Sequence, residues 1–203
     1  MTKNEFVQRF MLVEPFDYDS LSLKRLSSLD HNQLRPAAVL ICLVERNHTL
    51  NVLLTKRAAH LKHHPGQVSF PGGKFEQSDK KLCNTAIRET YEEVGIPPSM
   101  ISVMGALPPI ATISQFAVTP FVALVDANYQ VKTDPNEVAE VFEVPAQFLF
   151  SAANLFHCHF QLKTATHKVF AIPYQHHFIW GVTAQIIEAL QRQLSHFGRI
   201  NSA

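Results

Sequence analysis

An α/β or α+β sandwich is the fold class this sequence predicts, on three observations. Two aliphatic runs, AAVLICLVE (37–45) and TLNVLLTKR (49–57), flank the polar turn RNH and read as paired strands. A helical pattern runs from Asp79 to Val94 and stops at Gly95, with Pro97 and Pro98 just beyond. A last segment, WGVTAQIIEALQRQLSHF, puts Val182, Ile186, Ala189, Leu190 and Leu194 on one helical face. With 203 residues, 46% hydrophobic and 17% charged, the chain has material for one domain with a sizeable core.

In chain order, residues 1–30 read as an N-terminal helical extension with two short helices, NEFVQRFML and DSLSLKRLSSL, ahead of a domain of residues 31–203. The strand pair follows, then a segment (58–76) dense in His, Pro and Gly that ends in FPGGKFE. The next helix has Ser78 or Asp79 as its cap candidate. Further strands are expected at 101–107 and at FAVTPFVALV (116–125). NEVAEVFEVPAQFLF then suggests a strand or turn leading into a short helix, and short extended segments follow at 156–162 and 168–173. The apolar N-terminal extension and the final helix leave two arrangements open, packing on the domain or on a partner in a homodimer.

Composition narrows the function classes. A formal net charge of +1 argues against nucleic acid as a partner, since phosphate-backbone binding needs a basic surface. No run of about 18 apolar residues is present, and the N-terminus has no signal-peptide pattern, so no membrane role is expected. Cys42, Cys83 and Cys158 are far apart and lack metal spacing, which reads as buried free thiols in a cytoplasmic protein. HLKHH (60–64), HCH (157–159) and QHH (175–177) contain no HExxH pattern and read as surface or loop imidazoles. The absence of GxSxG disfavours a serine hydrolase.

The chemistry-bearing stretch is RETYEEVG (88–95), which places Glu89, Glu92 and Glu93 within about one helical turn. Like charges so spaced repel by roughly 0.2–0.5 kcal/mol per pair. Cys83, Ile87, Thr90 and Val94 form the expected core stripe, and the three glutamates project along one flank. Arg88 lies four residues before Glu92, within reach of it. Alone, such a cluster reads as a solvated acidic face. The preceding FPGG is a turn where backbone can approach a ligand closely, and carboxylates facing it supply the oxygen donors that hard cations require.

The stretch GGKFEQSDKKLCNTAIRETYEEVGI (72–96) resembles the Nudix box, G-x5-E-x7-R-E-U-x-E-E-x-G-U, through Gly73, Arg88, Glu89, Glu92, Glu93, Gly95 and Ile96. Asp79 stands where the first Glu is expected, the interval to Arg88 is one residue longer, and Thr90 replaces an aliphatic residue. Upstream, LLTKRAAHLKHHPGQVSFPGG (53–73) resembles the LLTxR(S/A)x3Rx3Gx3FPGG element of the coenzyme A diphosphatases within the Nudix superfamily. Lys62 replaces its second Arg, keeping charge but losing the bidentate fork. That subfamily also carries the longer box, and IWGVTAQII near the end is similar to it as well.

The resemblance implies a Nudix α/β/α sandwich with a mixed β-sheet. It also implies a pyrophosphatase dependent on Mg2+ or Mn2+, splitting coenzyme A, or a derivative, to 3′,5′-ADP and 4′-phosphopantetheine. It makes Glu89 and Glu93 the main metal ligands, with Glu92 and the Gly72 carbonyl completing the set, and Arg88 an orienting residue. Arg57 and Lys62, with Gly72 and Gly73, would meet the substrate. The general base stays open among the metal centre, a box glutamate, and Glu137 or Glu140 from NEVAEVFEV. Lys56 should face away from Arg57 on the same strand. Hydrolysis of ADP-ribose or another nucleoside diphosphate derivative is the alternative activity. A non-catalytic nucleotide sensor is the alternative class, disfavoured by the full set of Arg88, Glu89, Glu92 and Glu93.

Overall fold

The computed structural model describes residues 1–23, 33–162 and 165–200. In chain order it contains α1 (Lys3–Leu12), α2 (Ser20–Leu23), β1 (Arg35–Arg46), β2 (Thr49–Arg57), β3 (Val68–Ser69), β4 (Gly72–Lys74), α3 (Leu82–Val94), β5 (Ile101–Ala106), β6 (Ile110–Ala111), β7 (Phe116–Val125), β8 (Val138–Pro145), α4 (Ala146–Leu149), β9 (Phe156–Leu162), β10 (Ala165–Tyr174), β11 (His177–Trp180) and α5 (Val182–Ile200). Most of the helix expected at DSLSLKRLSSL lies outside the described residues.

The β1–β2 hairpin forms as expected, with Leu43 opposite Val52. Its two-residue turn has positive φ at both Asn47 and His48, the geometry that matches the twist of paired strands. β7 runs parallel to β1, while β2, β4 and β5 are antiparallel to their neighbours, so the larger sheet is mixed. Its main path is β3-β2-β1-β7-β5, with β8 paired to β2. β9, β10 and β11 form a second, antiparallel sheet.

Alternation along β1 and β2 separates the layers. Ala38, Leu40, Cys42, Val44 and Leu53 pack under α3 with Ala86, Val94 and Ile96. Ile41, Leu43, Val52 and Leu54 point to the other face, where α1, α5 and the small sheet contribute Phe6, Phe10, Ile172, Ile179, Ile186 and Leu190. A helix layer thus lies on each side of the sheet. The N-terminal helix is part of this core: Phe6 is fully buried, and the Gln193 amide donates to the carbonyls of Phe10 and Val13 at 3.0 and 2.9 Å. The apolar faces of α1 and α5 therefore meet within one chain. Thr2 starts α1 with a capping box, accepting from Glu5 N–H while its own N–H donates to the Glu5 carboxylate at 2.8 Å.

Three expectations need correction. α3 begins at Leu82, because Gln77–Asp79 form a tight 3-10 turn and Lys80 has φ of 59°. Asp79 is no cap of this helix; it is buried and serves as an acceptor for Arg88. The buried face of α3 is Thr85, Ala86, Thr90, Glu93 and Val94, rotated toward Glu93, while Cys83 and Ile87 are only partly buried. Ala86, with no side chain beyond Cβ, sets the contact line by letting the helix approach the sheet closely. Cys42 alone of the three thiols is buried, and Cys158 is exposed.

Candidate functional site

The FPGG turn is held against the sheet by backbone hydrogen bonds and by the buried Phe70 side chain. Leu40 N–H donates to the Pro71 carbonyl at 2.9 Å, and β4 then runs beside β1 with Gly72 opposite Val39 and Gly73 opposite Ala38. A Cβ on Gly72 would lie 2.4 Å from the Ala38 carbonyl oxygen, so the strand fits only without a side chain. A Cβ on Gly73 would lie 2.3 Å from Glu89 Oε1. The second glycine therefore makes room for a carboxylate.

Across this turn stands α3. Gly95 ends it in the left-handed conformation (φ 84°), its N–H donating to the Tyr91 carbonyl at 2.9 Å. In the last turn Glu93 is 4% exposed, and its Oε2 accepts from Gly72 N–H at 3.3 Å. Burial pushes the Glu93 carboxyl up to about 8; the charge of Glu89 adds to this, while Gly72 N–H and Arg57 oppose it. Glu89 is raised by burial too, with Arg88 opposing and Glu92 and Glu137 reinforcing. Two inward carboxylates disfavour each other's charge, and Arg57 and Arg88 offset this only in part.

Arg88 does not supply what is missing, because it is engaged at the rim. It donates to Asp79 Oδ1 at 2.8 Å, Glu92 Oε2 at 2.8 Å, Glu89 Oε1 at 3.0 Å and the Lys74 carbonyl at 3.1 Å. Asp79 is held well below the usual carboxylate range by Arg88 against the cost of burial, helped by Glu76 N–H and the Thr85 hydroxyl. Arg88 thus locks the box turn to the helix. Sequence reading found its pairing with Glu92 but not its anchor on Asp79, whose only signal was an acid at an outlying motif position.

The donor set suits a hard divalent cation: carboxylate oxygens of Glu89 and Glu93, the more exposed Glu92, and the carbonyls of the glycine turn. Of the remaining predicted residues, Arg57 ends β2 and its charge acts on Glu93. Glu137 stands at the start of β8, tied down by Ala58 N–H donating to its carbonyl at 2.8 Å, and its charge acts on both Glu89 and Glu93. Lys62 is exposed on the 58–67 loop, and among the described residues no hydrogen bond or ion pair joins it to the box. Glu140 lies elsewhere. It is opposite Lys56 in the β2–β8 register and shares a strand face with Phe142 and Val144, on the α5 side of the sheet. There it meets His176 and His177, at 3.6 and 3.3 Å. His177, read as a surface imidazole, is buried against Phe142.

The NUDIX domain family matches residues 34–162, a span that includes β1, the glycine turn and α3. The chain belongs to the Nudix hydrolases. It is 39% identical over 194 residues to a protein named uncharacterized Nudix hydrolase NudL of Enterobacter sp. (strain 638), covering 96% of this chain and 95% of that one. The like-named protein of Pectobacterium atrosepticum is 40% identical over 192 residues, covering 95% and 94%. Among solved structures, the chain is similar to the MutT protein from Methanosarcina mazei Go1, with a TM-score of 0.48, 17% identity, and 83% and 96% of the two chains covered. Nudix hydrolases are generally metal-dependent. Among the described residues no helix is long and apolar enough to cross a membrane.

Proposed function

We propose that this Nudix hydrolase cleaves the diphosphate of coenzyme A, free or derivatised, to 3′,5′-ADP and 4′-phosphopantetheine, using Mg2+ or Mn2+. The observation that supports the substrate is the unbroken run from Leu53 to Gly73, which carries the coenzyme A element along β2 and back through β3 to the glycine turn. The element's Arg57 ends β2 and its charge acts on Glu93, which suits contact with a phosphate held there.

Glu89, Glu93, the Gly72 carbonyl and Glu92 at the rim would hold the cation. Once bound, it would neutralise charge on the diphosphate oxygens. Arg88 fixes the directions of Glu89 and Glu92 and touches no substrate. Arg57 and Lys62 bind phosphate oxygens, Arg57 with a planar fork and Lys62 as a point charge from the loop. Water adds to one phosphorus, the bridging P–O bond breaks, and the bridging oxygen leaves on the other product. Glu137, just before β8, is the group we assign to take the water proton, since its charge acts on Glu89 and Glu93 while Glu140 lies on the other face of the sheet. The free thiols fit a reducing cytoplasmic setting.

Product analysis after incubation with coenzyme A and Mg2+ or Mn2+, beside ADP-ribose and a Glu93→Gln control, tests this reading. Appearance of 3′,5′-ADP that the control abolishes supports both substrate and metal site. Cleavage of ADP-ribose alone would overturn the substrate. Folded protein that cleaves neither would favour a nucleotide-sensing role.

A further inference from the structure

The face of the sheet turned away from the glutamates carries a second cluster with different chemistry. Glu140 leaves β8 toward the tip of the β10–β11 hairpin, where Gln175 has φ of 53° and turns the chain so that His176 and His177 follow in sequence. One ligand atom from each of Glu140, His176 and His177 lies within 4.8 Å of the other two. Glu140 Oε1 stands 3.3 Å from His177 Nε2 and 3.6 Å from His176 Nε2. Tetrahedral bonds of about 2.0–2.1 Å place ligand atoms about 3.3–3.4 Å apart along each edge. Two edges of a tetrahedron are therefore nearly formed. The third needs only a turn of His176, whose side chain is 65% exposed.

We propose that Glu140, His176 and His177 form a site for a zinc-like transition-metal ion, separate from the Nudix centre. Two imidazoles and one carboxylate are a borderline donor set, suited to Zn2+, whereas the glutamate cluster offers only hard oxygen. His177 is the fixed corner: its side chain is 2% exposed and its ring stacks on Phe142 at 3.7 Å and 4°. Solvent on the His176 side provides the open fourth position.

Two features weaken the site without abolishing it. Lys56 is the cross-strand neighbour of Glu140, and its charge acts on His177. His177 Nδ1 is buried with no partner among the described residues, so a metal on Nε2 leaves the remaining ring proton without an acceptor. Zinc sites gain affinity from such an acceptor, so this one should bind less tightly than a fully supported site. Its consequence is mechanical. A bound ion clips β8, the strand that follows Glu137, to the β10–β11 hairpin, joining the two sheets behind the catalytic face.

The test is calorimetric titration of the chelator-stripped full chain with Zn2+ in excess Mg2+, which fills the oxygen-only site, together with Tm with and without zinc. Wild type should take up one Zn2+ and gain Tm with it, by mass action. His176→Ala and Glu140→Gln should each weaken that binding by more than about tenfold. The exposed His176→Ala variant should keep its zinc-free Tm, and Glu93→Gln should bind zinc as wild type does. The proposal fails if wild type binds no zinc under these conditions. It fails equally if both variants retain the affinity, because other histidines, such as those at 60–64 or 157–159, would then hold the metal.

Discussion

Glu93 and Glu143 both lie on the α3 side of the central sheet, and their surroundings are opposite. Glu143 accepts from Arg46 Nη2 at 2.7 Å, Tyr129 OH at 2.8 Å and Asn51 Nδ2 at 2.9 Å. Burial raises its pKa, but Arg46, Asn51 and Tyr129 outweigh that and hold it below the usual carboxylate range. Glu93, more deeply buried, accepts from one backbone N–H beside a second carboxylate, and its pKa rises to about 8 although the charge of Arg57 opposes this. A buried acid with its own cation is architecture; one that shares a helix edge with another acid, over a glycine turn, is short of a positive partner. That difference marks which end of the layer is the candidate for chemistry.

The comparison can be broken or sharpened by experiment. Chelation has the largest expected effect: it should abolish hydrolysis, with restoration by Mg2+ or Mn2+ read in a product assay. The same cations should stabilise wild type by about 2.7 kcal/mol at a hundredfold excess over Kd, and Glu143→Gln should keep that response. Glu93→Gln should lower kcat by about 10²–10³-fold, lose the cation-induced rise in Tm, and leave the metal-free Tm unchanged or higher, because a costly buried acid is gone. A lower metal-free Tm would place Glu93 with the structural acids instead.

The two glycines should separate site from fold. Gly73→Ala pushes the end of a side chain, so the Glu89 carboxylate moves and kcat should fall by about 10–100-fold with little change in Tm. Gly72→Ala meets backbone at Ala38, so circular dichroism melts should show a loss of stability as well. Glu143→Gln should have the smallest effect, costing about 1–2 kcal/mol, discounted because the Arg46 side chain is 37% exposed. The sign of its pH dependence is fixed. A depressed carboxyl adds stability above its unfolded pKa and loses it as pH falls through the folded value, so urea melts of wild type should show an acid-side loss of stability that the variant lacks.

Legibility followed sequence distance. The glutamate cluster could be read because a helix and the turn before it generate it within a short window, and the β1–β2 hairpin because its turn is two residues long. The core face of α3 was legible at Thr90 and Val94 but not at Cys83 and Ile87, which are as apolar as Ala86, so that only the docking angle selects among them. The anchor of Arg88 on Asp79 was missed because a tight turn breaks the helical register between them.

By itself the sequence determined the alternation of strands and helices, the glycine turn, and the row of glutamates with Arg88 among them, since these follow from local periodicity, backbone freedom and fixed motif spacing. Only the tertiary structure decided which acids are paired and which are not. It brought Arg46 to Glu143, 97 positions apart, and set Glu137 where its charge acts on Glu89 and Glu93. It also sent Glu140, three residues later, through the sheet to two histidines. The physical reason is that pairing across a sheet depends on register and on which side of a strand a residue falls, and a shift of one residue reverses the side.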